Sequence, residues 1–228
     1  MQVELPEDSR KSLEATLSQD ESERAARFHF PADRDRFIIA HGCLRDVLSR
    51  YLHCQPVELS FSIGEYGKPA LNSEAGIDFN LAHSGDYILI AIAHRRRVGV
   101  DVERIRKGIS SSAIAQQYFS KVEVAELQEL PIEEREIAFF TCWTRKEAYI
   151  KAQGMGLTLP LESFDVSLAP NEPAILRATR PYSDEASRWT LYSLQIDPLY
   201  EAAIAVENMP SQASEPASEY RLWSWQRK

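Results

Sequence analysis

Hydrophobic positions change their period along the chain. From residue 21 they recur at helical spacing. ESERAARFHF (21–30) is charged and amphipathic, and PADRDRFIIAHGCLRDVLSRYL (31–52) opens on Pro31 and carries Phe37, Ile38, Cys43, Leu44, Val47 and Leu48 as a helical stripe. The period then falls to two. VELSFSI (57–63), DYILIAIAH (86–94) and RVGVDVE (97–103) alternate as strands, and EYGKPALNSEAG (65–76) reads as a loop of turn residues. Only His94-Arg95-Arg96 joins the second and third of these strands, which predicts a tight hairpin made without glycine.

The second half repeats that order. SSAIAQQYF (111–119) and KVEVAELQEL (121–130) have helical spacing. EREIAFFTCWTRKEAYIKAQG (134–154) is the strongest helix in the chain, with Gly154 and then Gly156 as its stop signal. Strands are predicted at 164–169, 188–196 and 200–207. Each half is thus helices followed by a small sheet, which gives an α+β chain dividing near residue 105 into 1–104 and 105–228. No strict sequence repeat relates the halves. The polar, Pro/Ser-rich stretch 209–220 predicts a loosely held tail, and the closing RLWSWQRK offers two tryptophans that could dock back.

Composition narrows the classes. The 228 residues are 44% hydrophobic and 26% charged, ordinary values for a globular protein. A net charge of -8 argues against general nucleic-acid binding. No run of 18 apolar residues predicts a membrane span, and the first residues lack the basic-then-apolar order of a signal peptide. Cys43, Cys54 and Cys142 cannot all pair with one another and fit no metal spacing, so free thiols in a reducing compartment are expected. The histidines are scattered, and zinc is not expected.

Four stretches and a cluster of arginines carry candidate chemistry. In VGVDVERI (98–105) the strand period puts Val98, Val100 and Val102 on one face and Gly99, Asp101 and Glu103 on the other. A solvated polar face would explain two carboxylates at i and i+2, and so would a hard divalent cation held by oxygen ligands. On the long helix Trp143, Glu147 and Lys151 fall at i, i+4 and i+8, with Lys146 beside them. An isolated Glu–Lys pair on a helix is usually surface decoration, but aromatic neighbours on a helix otherwise apolar make a packed carboxylate the sharper reading. His83-Ser84-Gly85 reads as a turn that could meet a phosphate, or as a plain Ser-Gly turn. Gly67-Lys68-Pro69 is a rigid turn with one cation and lacks the P-loop pattern. Arg24, Arg27, Arg34 and Arg36 are either an interleaved surface charge pattern or an anion clamp.

The ordered set GKPAL, FNLAHS, VGVDVE and WTRKEAYIKAQGMGL resembles the 4′-phosphopantetheinyl transferases of the broad-specificity, surfactin-synthetase-activating type, over roughly residues 20 to 170. The resemblance implies two similar α+β subdomains related by a pseudo-twofold, each with helices packed on a small antiparallel sheet and with the active site in the cleft between them. Residues 1–104 would bind the adenine and phosphates of coenzyme A; 105–228 would supply the catalytic helix and dock the carrier protein. The implied reaction moves the phosphopantetheine arm of coenzyme A onto a serine of an apo acyl or peptidyl carrier protein, releasing adenosine 3′,5′-bisphosphate, with Mg²⁺ required. By motif position, Asp101, Glu103 and Glu147 would hold the metal. Lys151 would meet the pyrophosphate, and Glu147 would also serve as general base. His83 would bind the 3′-phosphate, with Ser84 beside the phosphates and Lys68 and Pro69 at the adenine. Arg24, Arg36 and Lys146 complete the cofactor-binding set, while Arg27 and Arg34 stay surface charges and Trp143 packs beneath the site. A cytoplasmic monomer, without nucleic acid or membrane as partner, is the implied state.

Departures accompany the likeness. Ala82 stands where many members carry Ser. The segment 104–133, which contacts the carrier in the family, has no fixed motif; its Ile114, Tyr118, Phe119 and Val124 are either a docking patch or core. Two other readings compete: another Mg²⁺-dependent phosphotransferase or nuclease, and a non-catalytic binder of coenzyme A or carrier proteins.

Overall fold

The computed structural model describes residues 5–106, 108, 111–209 and 220–225. Contacts group the chain into two compact units: Met1–Phe61 with Leu71–Ala75 and Ser211–Lys228, and Ser62–Ala70 with Gly76–Pro210.

Helices make the first unit. They are α1 (Glu7–Glu14), α2 (Gln19–Ala26) and α3 (Pro31–Leu52). The sequence reading missed α1, whose residues are mostly polar. A capping box starts α2: the Glu21 N–H donates to Ser18 Oγ and the Ser18 N–H donates to Glu21 Oε2. Pro31 sits in the first turn of α3, as its sequence position predicts, and the helix ends at His53 in the left-handed region. Gly42 lets α1 approach α3 closely, because a Cβ there would stand 2.6 Å from that of Leu13. Arg45 is buried in this unit and donates to Glu21 Oε2 (2.6 Å) and to the Pro56 and Leu59 carbonyls. Of the tail, residues 210–219 and 226–228 lie outside the described residues. Within it Trp225 Nε1 donates to Asp46 Oδ2 at 2.7 Å, so the docking tryptophan exists.

The second unit holds the sheets. Residues 57–63 were read as one strand, but Pro56–Glu58 forms a 3₁₀ turn and β1 is only Phe61–Ile63. A turn closed by Gly64 N–H to Lys68 O (2.9 Å) leads to β2 (Pro69–Leu71). β3 (Ile77–Ser84) pairs antiparallel with β4 (Tyr87–His94) through Gly85-Asp86, with Gly85 at φ 52. This corrects the predicted hairpin. The strand at 87–94 folds back on 77–84, where glycine permits the tight turn, and not on the strand that follows Arg95-Arg96. β5 (Val98–Arg104) instead lies at one side of a three-stranded antiparallel sheet.

The rest of that unit follows in chain order. It comprises α4 (Ser111–Tyr118), α5 (Lys121–Glu129), α6 (Arg135–Gln153), β6 (Phe164–Val166), β7 (Leu176–Thr179), β8 (Trp189–Ser193) and β9 (Tyr200–Glu207). β9 is the middle strand of the β5-β9-β8 sheet, and β6 pairs with β7, which the sequence reading missed. α6 ends at Gly154 in the left-handed conformation, as its sequence predicts. The Val face of β5 packs with Ala82, Ala91 and Tyr200. Burying each valine stabilises by about 1.5–3 kcal/mol. α6 packs Phe139, Phe140, Tyr149 and Ile150 with Phe164, Val166 and Leu191. Among the described residues no helix is long and apolar enough to cross a membrane.

Candidate active site

The site begins at a glycine. A Cβ on Gly99 would stand 2.1 Å from the Ala148 carbonyl oxygen and 2.3 Å from the Ala152 nitrogen. Only glycine lets β5 lie this close to α6. Two residues on, Asp101 points the same way and is therefore carried into the same contact. It is 4% exposed, and Lys151 Nζ donates to its Oδ1 at 2.6 Å. Its Oδ2 is buried with no hydrogen-bond partner among the described residues. Burial pushes the Asp101 carboxyl up to about 7; Lys151 pulls against that, and Glu103 and Glu147 push further up. Glu147 lies one helical turn before Lys151 and is half-buried. Burial raises its carboxyl, Lys151 opposes the rise, and Glu103 adds to it. Three carboxylates and one ammonium thus share one electrostatic neighbourhood.

That neighbourhood suits a hard cation. Every donor is a carboxylate oxygen, the ligand type Mg²⁺ takes, and one of them is a buried oxygen lacking any partner. Among the described residues no three His, Cys, Asp or Glu side chains already converge as a metal cage. Asp101 meets the Lys151 ammonium instead.

The outer edge of β5 is held by side chains of β3. The Val98 N–H donates to Asp78 Oδ2 (2.7 Å), the Val100 N–H to Asn80 Oδ1 (2.9 Å) and the Arg104 N–H to Ser84 Oγ (3.1 Å). Donor and acceptor are always 20 residues apart. Ala82 falls at the remaining rung, that of Val102. Ser84 is buried and its Oγ–H donates to Glu103 Oε2 at 3.0 Å, so its hydroxyl orients a carboxylate of the cluster.

A cleft of about 290 Å³ opens beside these groups. Tyr66, Gly67, Lys68 and Pro69 form one wall; Glu147, Ile150 and Lys151 of α6 form another; Asn80, Gly154 and Gly156 complete it. Lys68 Nζ donates to Asp78 Oδ2 (2.8 Å) and to the Val98 carbonyl (3.1 Å). Its stem runs past Gly154, where an added Cβ would lie 3.2 Å from Lys68 Cδ. Asn80 and Tyr66 were not singled out from sequence. Asn80 gave no separate signal, since a polar residue between Phe79 and Leu81 is ordinary for a strand, and its side-chain carbonyl turns out to be consumed by the Val100 N–H.

The structure therefore brings Lys68, Pro69, Glu147 and Lys151 to one cleft and joins Asp101, Glu103 and Ser84 to its charged end by the contacts above. His83 is exposed and, by strand alternation, faces away from Asn80 and Ser84. Arg24 and Arg36 belong to the first unit. There Arg24 lies over the Phe37 ring, and Arg36 donates to Asp33 at 3.0 Å. Lys146 is a correction. It is fully buried, pairs with Glu123 Oε2 at 2.8 Å and donates to the Leu161 and Phe164 carbonyls, so all three ammonium protons are spent inside the core. Glu123 in turn accepts the Ser120 and Val166 N–H groups. Trp143 packs against Tyr118, Phe119 and Phe139. Of the apolar residues in 104–133, Phe119 is core, Ile114 and Val124 pack onto it, and Tyr118 is partly exposed; residues 107, 109 and 110 lie outside the described set.

Comparison with known proteins gives the family. The model of the 4′-phosphopantetheinyl transferase superfamily matches residues 97–206, which span β5, α6 and β9. A second model, the N-terminal region of 4′-phosphopantetheinyl transferase, matches residues 6–95. The 4′-phosphopantetheinyl transferase HetI of Nostoc is 39% identical over 207 residues, covering 90% of this chain and 84% of that protein. A putative 4′-phosphopantetheinyl transferase of Synechocystis is 34% identical over 79% of this chain and 72% of its own length. The 4′-phosphopantetheinyl transferase Sfp of Bacillus subtilis is 29% identical over 88% of this chain and 86% of its own length.

Proposed function

Since the chain belongs to the 4′-phosphopantetheinyl transferase superfamily, we propose that its cleft transfers the phosphopantetheine arm of coenzyme A to a serine of an apo carrier protein, with Mg²⁺ held by Asp101, Glu103 and Glu147. The observation that carries the metal reading is Asp101: a buried carboxylate with one oxygen on Lys151 and the other without a partner. A bound Mg²⁺ would supply charge neutralisation for the pyrophosphate oxygens of coenzyme A.

The chain's own residues do the rest. Lys151, on the cleft wall, stabilises the negative charge that builds on the departing adenosine 3′,5′-bisphosphate. Glu147, on the same wall one turn away, takes the proton of the carrier serine as its oxygen bonds to the β-phosphorus of coenzyme A and the bond to the bisphosphate breaks. Ser84 fixes the Glu103 carboxylate. Tyr66 and Pro69 offer flat surfaces suited to the adenine, and the turn that carries them is closed by Gly64 N–H to Lys68 O at 2.9 Å. The roles of His83, Arg24 and Arg36 at the 3′-phosphate rest on their motif positions alone. The functional division into 1–104 and 105–228 and the monomeric state rest on the family resemblance, and the cytoplasmic location on the free cysteines. Partly exposed Tyr118, with exposed Val122 and Ile132, gives carrier docking an apolar contact that does not depend on net charge.

The test is release of adenosine 3′,5′-bisphosphate, followed chromatographically, when apo carrier protein is added to the chain with coenzyme A and Mg²⁺. Release that needs both carrier and metal, and disappears in Asp101→Ala, supports the reading. Release unchanged in Asp101→Ala removes the metal site.

A further inference from the structure

Lys68 is the cation of the turn that walls the cleft, yet its charge is already answered. The Asp78 carboxylate stands 2.8 Å from its Nζ and the Val98 carbonyl 3.1 Å away. The same Asp78 oxygen accepts the Val98 N–H at 2.7 Å. One carboxylate therefore ties three segments together: the 64–69 turn, β3 and the first residue of β5. The Lys68 stem lies along Gly154 at the end of α6, so the tie also presses the turn against the helix that carries Glu147 and Lys151. Lys68 is mostly covered, with 17% of its side chain exposed against 25% for Asp78.

From this we infer that Asp78 is a positioning residue for the proposed coenzyme A site, and that Lys68 acts through it as a structural tie, not as a charge offered to phosphate. Ser84 sets a pattern for the role. It too accepts a β5 N–H with an atom that also bonds a site residue, Glu103. Asp78 does the same for Lys68. With the clasp closed, Tyr66, Gly67 and Pro69 are held where they line the cleft. With it open, the turn loses its anchor to β5, and its internal bonds, Gly64 N–H to Lys68 O and Gly67 N–H to Gly64 O, are left to open on their own. Only the fraction of molecules with the turn in place would then bind ligand, which weakens apparent affinity without touching the reacting groups.

The inference rests on the proposed function for its ligand but not for its geometry, and the experiment separates the two. Asp78→Asn keeps an acceptor for the Val98 N–H and removes the ion pair; Lys68→Met keeps the stem and removes the charge. Hydrogen exchange on the ligand-free full chain reads the clasp directly. The amides of Gly64 and Gly67 should lose about tenfold or more in protection in each single variant, and no more in the double variant, because one tie is broken in all three. Coenzyme A titrations should show apparent affinity falling by about tenfold in each variant, again without further loss in the double, while kcat with saturating coenzyme A stays near wild type in Asp78→Asn. Unchanged exchange at Gly64 and Gly67 in Asp78→Asn overturns the inference. So does tighter coenzyme A binding in Asp78→Asn, the result expected if the freed ammonium pairs with phosphate. Absence of coenzyme A binding by the wild-type chain would sink the proposed function, and the exchange result would still decide the clasp.

Discussion

Lys151 Nζ donates to Asp101 Oδ1 across 2.6 Å and so links the last turn of α6 to the middle of β5. The bond does two things. It places a cation beside a buried carboxylate, and it holds the ammonium at the cleft wall. Lys151→Ala should lower kcat by about 100-fold or more, the scale of losing one preorganised charge partner of the transition state. It should also cost about 1–3 kcal/mol of stability, since Asp101 is left buried and unpaired. Lys151→Arg should recover most of the stability but little of the rate. Steady-state kinetics and urea unfolding on the same preparations check both.

Gly99 sets the distance between β5 and α6, and its neighbours at that contact are backbone atoms that cannot move aside. Gly99→Ala should destabilise the chain by about 3 kcal/mol or more. The same substitution at Gly67, where an added Cβ meets nothing within 4 Å, carries only the cost of its positive φ and should be milder. Denaturant midpoints of the two variants give the comparison.

What the sequence made legible follows from how each signal arises. α3 and α6 were readable because Pro31 and Gly154 mark their ends and their apolar stripes are long. The placement of Asp101 was readable because a strand alternates, which put it with Gly99 on one face. β3 was not: Ile77, Phe79 and Leu81 alternate with Asp78 and Asn80 as a strand should, but the run ends in His83-Ser84-Gly85, which read as a turn. The wrong hairpin followed: with β3 unseen, β4 had only β5 to pair with. The position of Lys146 was hidden for a different reason. Neighbouring residues on a helix point about 100° apart, so adjacency to Glu147 said nothing about facing the cleft.

The buried Lys146–Glu123 pair yields a prediction that separates structure from ligand binding. Lys146→Ala leaves Glu123 charged in the core and should cost about 3–5 kcal/mol. In whatever fraction remains folded, affinity for coenzyme A should be near wild type. Calorimetric titration below the variant's unfolding temperature checks this. A large loss of affinity in well-folded Lys146→Ala would return the residue to the site.

Acid should loosen the first unit through Glu21. Burial raises that carboxyl, but hydrogen bonds from His41, the Ser18 N–H and Arg45 outweigh it and hold it at about 2, against 4.5 when unperturbed. A carboxyl lowered on folding contributes stability that is complete above about pH 4.5 and is lost as pH falls towards 2. Wild-type stability should therefore drop across that window more steeply than that of Glu21→Gln, which has no proton to take up. Unfolding free energies at closely spaced pH values measure the two slopes; equal slopes would remove Glu21 from the acid response.

The most direct test of the account is the intact mass of an apo acyl carrier protein after incubation with the full chain, coenzyme A and Mg²⁺, beside a sample containing EDTA. The account predicts a gain of one phosphopantetheine on the carrier, absent with EDTA and absent with Asp101→Ala or Glu147→Ala. No gain on fatty-acid, polyketide or peptide carriers, while coenzyme A still binds, would contradict it and leave a binding protein in its place.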